Sequence, residues 1–298
     1  MEVPDAPAPS DAARLVTVAR LVHPFPSLLD GAVVAWIALV AGGTAPVAVA
    51  LGLSMTCLQF AIGAVNDLVD AESDAGRKSG KPIPSGLVTP TQARVVATAA
   101  AILGLALALA GGVWLLVLAL VGLGIGLSYD LWAKGTTLSW LPLAVGIPLL
   151  PLYGWYGATG EVPGLFLVVI PAAANAGTAL AIANAIVDME RDEAAGSRSI
   201  ALALGPARAS RLVLGLHGVV ALLAVASAAI LGAPTGWVVA VLAACAVPLG
   251  GAVLGLLAAD RDATSLRELA WEVQAVGTGL LAVAWLGALS ASAGPTGT

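Results

Sequence analysis

The chain has 298 residues, 59% of them hydrophobic and 10% charged, with a mean hydropathy of +0.96. A soluble domain is nearer about 45–50% apolar and about a quarter charged, and a globule of this size has too little interior to hide so much apolar surface. The composition therefore excludes a cytosolic enzyme, a disordered chain and a disulfide scaffold, and the balance of 13 basic against 18 acidic residues excludes a general nucleic-acid footprint.

Residues 1–13 are rich in Pro and Ala and read as a disordered tail. No Lys or Arg precedes Arg14 and no short apolar core follows at once, so a cleaved signal peptide is not expected. A membrane helix needs about 20 mostly apolar residues. Nine such runs follow, near 27–45, 46–66, 91–111, 113–133, 138–157, 162–187, 209–231, 235–259 and 271–291. They lack the alternation of barrel strands. The expectation is one all-α domain over 14–291, a nine-helix transmembrane bundle, with a short tail at 292–298. With nine spans, all thirteen Lys and Arg residues fall in the N-terminal segment or in loops on that same side. The positive-inside bias then places the N-terminus in the cytoplasm and the C-terminus outside. Cys57 and Cys245 sit in apolar runs and read as small buried hydrophobes.

Two acidic clusters close spans two and six on the cytoplasmic side. The first holds Asn66, Asp67, Asp70 and Asp74, the second Asn184, Asp188 and Asp192. Asn66, Asp70 and Asp74 are spaced i, i+4, i+8, and so are Asn184, Asp188 and Asp192. On a helix this spacing stacks the oxygens on one face. Three positions match at a constant offset, so the two spans read as members of an internal pseudo-repeat. Stacked carboxylates repel one another, and at the edge of hydrocarbon they are costlier still. One reading is a solvated acidic cap on each helix. The other is hard oxygen ligands for Mg²⁺, which binds through one or two carboxylates plus substrate phosphate oxygens. The register of the two clusters favours the second. Arg77, Lys78 and Lys81 follow the first cluster between glycines, as suits a ligand with several negative charges such as a diphosphate.

These motifs resemble the UbiA superfamily of intramembrane prenyltransferases. Asn66, Asp67, Asp70 and Asp74 match its N-D-x-x-D-x-x-x-D motif. Asn184, Asp188 and Asp192 match its second motif, and Lys81 to Gly86 match its K/R-P-I-P-S-G segment. Tyr129 and Lys134 in SYDLWAKGT approximate its Tyr-to-Lys segment. The resemblance implies a helical bundle around a cavity open to lipid, with two Mg²⁺ ions holding an allylic prenyl diphosphate. By position, Asn66, Asp67, Asp70, Asp74, Asn184, Asp188 and Asp192 would surround the metals. Arg77, Lys78, Lys81, Lys134 and Arg20 would touch the diphosphate. Asp70, Asp188, Tyr129 and Lys134 would carry catalysis, with Tyr129 near the leaving group. The expected activity is transfer of the prenyl group to a lipophilic acceptor (aromatic, quinone precursor or lipid) at the cytoplasmic face of a bacterial inner membrane.

The chain departs from the family pattern at Asp130, an extra acid in a segment with a single basic residue. Members acting on aromatic carboxylates often carry more basic character there. A terpene cyclase with no separate acceptor is an alternative inside the family. An ion-coupled transporter is an alternative outside it, disfavoured because the acidic clusters lie at one face and none at the midplane. A CDP-alcohol phosphotransferase would need D-G-x-x-A-R before its aspartates, which neither cluster has. Water must be kept from an allylic cation, and a lipid-bounded cavity does that. Tyr129, Trp132, Trp140, Tyr153, Trp155 and Tyr156 are aromatic candidates to face the cation, Tyr129 first. His23 and His217 read as structural, and Asp30, one turn into the first span, as an interfacial carboxylate ahead of a candidate for the cavity.

Overall fold

In the computed structural model, residues 11–75, 80–194, 196–259 and 263–292 are described, and their regular elements are helical throughout. A helix satisfies every backbone N–H and C=O within its own segment, which hydrocarbon requires. Eight helical segments are long and apolar enough to cross a membrane. The first expected span differs. It is a pair, Leu15–Val22 and Pro24–Val40, bent by 53°. The chain runs through α1 (Asp11–Ala19) and a 3₁₀ turn (Arg20–Val22) into α2 (Pro24–Val40). The bend falls at His23, held in the left-handed region at φ 46°. Pro24 and Pro26 then start α2, where a missing N–H costs little.

The remaining elements are α3 (Ala45–Asp74), α4 (Pro90–Ala110), α5 (Val113–Ser128), a π-helical turn (Tyr129–Ala133), α6 (Leu141–Gly146), α7 (Leu149–Thr159), α8 (Phe166–Val187), α9 (Met189–Ala194), α10 (Ile200–Leu204), α11 (Pro206–Ile230), α12 (Thr235–Ala258) and α13 (Thr264–Ser292). The helices that follow the two clusters begin as the Thr89-Pro90 and Gly205-Pro206 pairs suggest. Thr89 caps α4 in a reciprocal capping box with Gln92, and Pro206 opens α11. The fifth span is split between α6 and α7, where Pro148 withholds a backbone donor.

The spans form a ring around a cavity of about 330 Å³. Its wall is built from α2, α3, α5, α6, α7, α8, α11 and α13, while α4 and α12 pack outside it on α3 and on α11 and α13. Close backbone approach sets the spacing of α2 and α3. A Cβ at Gly52 would lie 2.8 Å from the carbonyl oxygen of Gly31, so any larger residue would push the helices apart. Outward-facing apolar side chains stay uncovered, Leu167 at 83% exposure and Ile230 at 82% among them, as lipid contact allows.

Candidate active site

The acidic clusters lie where α3 and α8 leave the bundle. The first is on unbroken helix: α3 runs 30 residues through to Asp74. Its face turns inward, leaving Asp67 3%, Asp70 8% and Asp74 6% exposed. Carboxylates this buried need cations, and the fold supplies them from elsewhere in the chain. Lys81 Nζ lies 2.5 Å from Asp67 Oδ1 and 3.5 Å from Asp74 Oδ2. Lys134 is ion-paired with Asp70. His23, read from sequence as structural, instead puts Nε2 2.9 Å from Asp67 Oδ1. The left-handed turn at His23 aims the ring there, and α3 makes room with Gly63, where a Cβ would lie 3.0 Å from the Val22 carbonyl carbon.

The second cluster corrects the expectation of one continuous helix face. Helix α8 stops at Val187, Asp188 breaks it at φ −91° and ψ 3°, and α9 resumes at Met189. The Asp192 N–H still donates to the Asp188 carbonyl at 2.8 Å, so the spacing survives a shift in direction. Asn184, Asp188 and Asp192 are half-buried, and Asp188 pairs with Arg191 of its own turn. Glu190 is tied to Arg267 of α13 at 2.5 Å. That guanidinium holds the Glu190 carboxyl below the usual carboxylate range.

The π-helical turn after α5 joins the two clusters, and π-turns recur at functional sites. From this single turn and the residue after it, three side chains reach out. Asp130 Oδ1 accepts from Asn66 Nδ2 at 2.7 Å. The Tyr129 hydroxyl lies beside Asn184. Lys134, its N–H bonded back to the Tyr129 carbonyl at 2.9 Å, reaches Asp70. Asp130 is 4% exposed, and its second oxygen has no hydrogen-bond partner among the described residues. Sequence reasoning flagged it as a departure and did not place it in the site. The signal was there: an unpaired acid at a span end, next to a motif tyrosine.

Arg20 is exposed and its guanidinium lies against the Gly80 turn. Arg77 and Lys78 lie outside the described residues. Tyr129 and Tyr153 line the cavity. Tyr153 is 1% exposed and hydrogen-bonded to Ser54 at 2.7 Å, and Trp155 packs edge-on against Phe166. Trp132 is 62% exposed and points away from the core. His217 is a packing residue, 2% exposed and 3.2 Å from Gln274. Asp30 is no interfacial carboxylate. It lines the cavity and accepts a 2.6 Å hydrogen bond from Gln59.

Comparison with known proteins agrees with this architecture. A model of the UbiA prenyltransferase family matches residues 29–273. A digeranylgeranylglyceryl phosphate synthase of Korarchaeum cryptofilum is 29% identical over 152 residues, 50% of this chain and 53% of that protein. A protoheme IX farnesyltransferase of Colwellia psychrerythraea is 35% identical over 126 residues, 40% of each chain. The matches thus span about half or less of these curated relatives. The solved structure of a UbiA homolog from Archaeoglobus fulgidus bound to GPP and Mg²⁺ superposes with a TM-score of 0.68 at 18% identity, covering 89% of this chain and 99% of that one. A UbiA homolog from Aeropyrum pernix K1 gives 0.66 at 21% identity, covering 88% and 98%. The two acidic clusters at the end of the bundle, the ring of helices and the family match converge: this chain belongs to the UbiA prenyltransferase family, an integral-membrane family of prenyl-transferring enzymes.

Proposed function

We propose that the chain uses two Mg²⁺ ions to bind an allylic prenyl diphosphate and transfers the prenyl group to a lipophilic acceptor inside the bilayer. The observation that carries this reading is the π-helical turn, which bonds to Asn66 and Asp70 and brings Tyr129 beside Asn184 at the mouth of an apolar cavity. The donor set fits a hard cation. It offers carboxylate and amide oxygens, and Asp67 and Asp130 each keep a buried oxygen without a partner among the described residues. Among those residues, no three acidic, histidine or cysteine side chains gather closely enough to hold a metal alone. Mg²⁺ bound through one or two carboxylates takes its remaining ligands from substrate phosphate and water, so metal and diphosphate would bind together.

Asn66, Asp70 and Asp74 would hold metal on one side, Asn184, Asp188 and Asp192 on the other, with Asp67 supporting. Bound Mg²⁺ supplies Lewis-acid stabilisation of the leaving diphosphate. Lys81 and Lys134 are paired with carboxylates. In this reading the two ammonium groups would also reach the diphosphate oxygens, where negative charge develops as the allylic C–O bond breaks. Arg77, Lys78 and Arg20 would add to that field. Tyr129, beside Asn184, faces the cavity and would offer its ring to the allylic cation near the leaving group. The apolar wall excludes water, which would trap the cation as an alcohol. The acceptor's nucleophile then bonds to the allylic carbon and loses its proton.

In this reading the whole of 14–291 is one catalytic domain, N-terminus inside and C-terminus outside, with the site at the cytoplasmic face of a bacterial inner membrane. A reporter fused at the C-terminus tests the orientation: activity only in the extracytoplasmic space supports it, cytoplasmic activity overturns it. The test of function is mass spectrometry of products from geranyl, farnesyl and geranylgeranyl diphosphates offered with a panel of acceptors. A prenylated acceptor supports transfer. A cyclised hydrocarbon without acceptor would make the protein a cyclase, and diphosphate left untouched in all cases would remove the reading.

A further inference from the structure

Most of the cavity wall is aliphatic, but one band of it is polar. Asp30 of α2 and Gln59 of α3 meet there, Gln59 Nε2 donating to Asp30 Oδ2 at 2.6 Å. Gln59 lies seven residues, two helical turns, before Asn66 on the same face of α3. The pair therefore sits about 10 Å deeper than the acidic centre. Helix α13 completes the band. Trp271 and Thr278, also two turns apart, both line the cavity. Trp271 packs edge-on against Phe25, with ring centroids 6.1 Å apart, between the mouth and Asp30. Gly279 packs on Val33 and Leu29, the latter adjacent to Asp30, which sets Thr278 near the level of Asp30. The Nε1–H of Trp271 and the hydroxyl of Thr278 are buried with no hydrogen-bond partner among the described residues.

A hydrocarbon tail gives such groups nothing. Facing it, a carboxylate and two unpaired polar atoms cost free energy. An anionic acceptor is also a poor occupant, because the Asp30 carboxyl meets it and, among the described residues, no cation lines the cavity. A hydroxyl suits the band: it donates to a carboxylate oxygen and accepts from an N–H or O–H. We infer that the band formed by Asp30, Gln59 and Thr278 is the specificity-determining subsite for the acceptor, and that it takes the hydroxyl group of a neutral, lipophilic molecule. This rests on the prenyl-transfer reading and names the acceptor chemistry within it.

The test uses the full chain in nanodiscs with two probes of near-equal shape, 4-propylphenol and its methyl ether. The concentration giving half of the shift in unfolding temperature is read for each. Wild type should favour the phenol by about tenfold or more, because a site built to bond a hydroxyl is left unpaired by the ether. Asp30→Ala should bring the two within about twofold. Should that variant fail to fold, Gln59→Met and Thr278→Val each remove one polar partner, and each should cut the preference at least about threefold. A wild type without preference, or folded variants that keep it, would overturn the inference. Release of diphosphate from geranyl diphosphate by the wild type is measured beside it. No release overturns prenyl transfer itself, whereas release without a hydroxyl preference overturns only the subsite.

Discussion

Asp70 and Asp188 hold equivalent positions in the two motifs, yet their surroundings differ at every point. Asp70 is 8% exposed on a continuous helix and is paired with Lys134, 64 residues away. The Asp188 side chain is 32% exposed at a helix break and is paired with Arg191, three residues away. The first cluster is thus paired through tertiary structure, with Lys81 and Lys134, whereas Asp188 of the second is paired within its own turn. Repeat symmetry in sequence does not carry symmetry in charge compensation. At the first cluster lysines occupy the carboxylates, while the second stays open to solvent on one side.

The largest effect expected from this asymmetry is shared by both halves. Asp70→Asn and Asp188→Asn should each lower prenyl transfer at least about 100-fold, because each removes a charge where the transition state needs metal. Turnover within tenfold of wild type in either variant would show that one cluster suffices. Asp130→Ala comes next. Asp130 accepts from the Asn66 amide nitrogen and so turns the amide oxygen toward the cluster. Losing that orientation should cost about 10- to 100-fold in apparent Mg²⁺ affinity. An unchanged Mg²⁺ dependence would leave Asp130 a packing residue. Stability separates the clusters more gently. Without metal, Asp70→Asn should lose about 1.5–3 kcal/mol, since Lys134 loses its charged partner. Asp188→Asn should lose less than about 1 kcal/mol, as befits a half-exposed ion pair. Thermal unfolding in detergent with chelator measures both, and equal losses would erase the contrast. From the sequence, stacked carboxylates imply that removing one relieves repulsion; the lysine pairs reverse that sign at Asp70.

The smallest effect is a pH dependence at the second cluster. Glu190 has its carboxyl held down by Arg267, so this contribution is present above the ordinary glutamate pKa and fades as pH falls through the lower folded value. Glu190→Gln should flatten that part of the acid limb in a thermal-unfolding series, and an identical limb would assign it to other carboxylates.

The spans were legible because an apolar run of about 20 residues has few other uses. Their ends were less so, for a reason visible at α3 and α13. The charged residues that close α3 at Asp74 and open α13 around Arg267 are still helical, but they depress hydropathy, so sequence placed these boundaries near 66 and 271. The motif residues were legible from spacing and from their family resemblance. The breaks were not: a π-turn at Tyr129, a one-residue interruption at Asp188 and a left-handed His23 have no periodic signature. Nor does any local pattern bring His23 to Asp67 across 44 residues, or Asp30 to Gln59 across 29. Asp30 nevertheless carried a signal, since a lone ionisable residue inside an apolar span is expensive and is retained for a use.

The central claim is that both clusters act as one metal-dependent diphosphate site. Equilibrium binding of geranyl diphosphate to the purified protein, titrated against free Mg²⁺, tests it most directly. Binding should vanish in excess chelator, rise with Mg²⁺, and be lost in Asp70→Asn and Asp188→Asn alike. Geranyl diphosphate bound equally well without divalent metal, or by either variant, would contradict it.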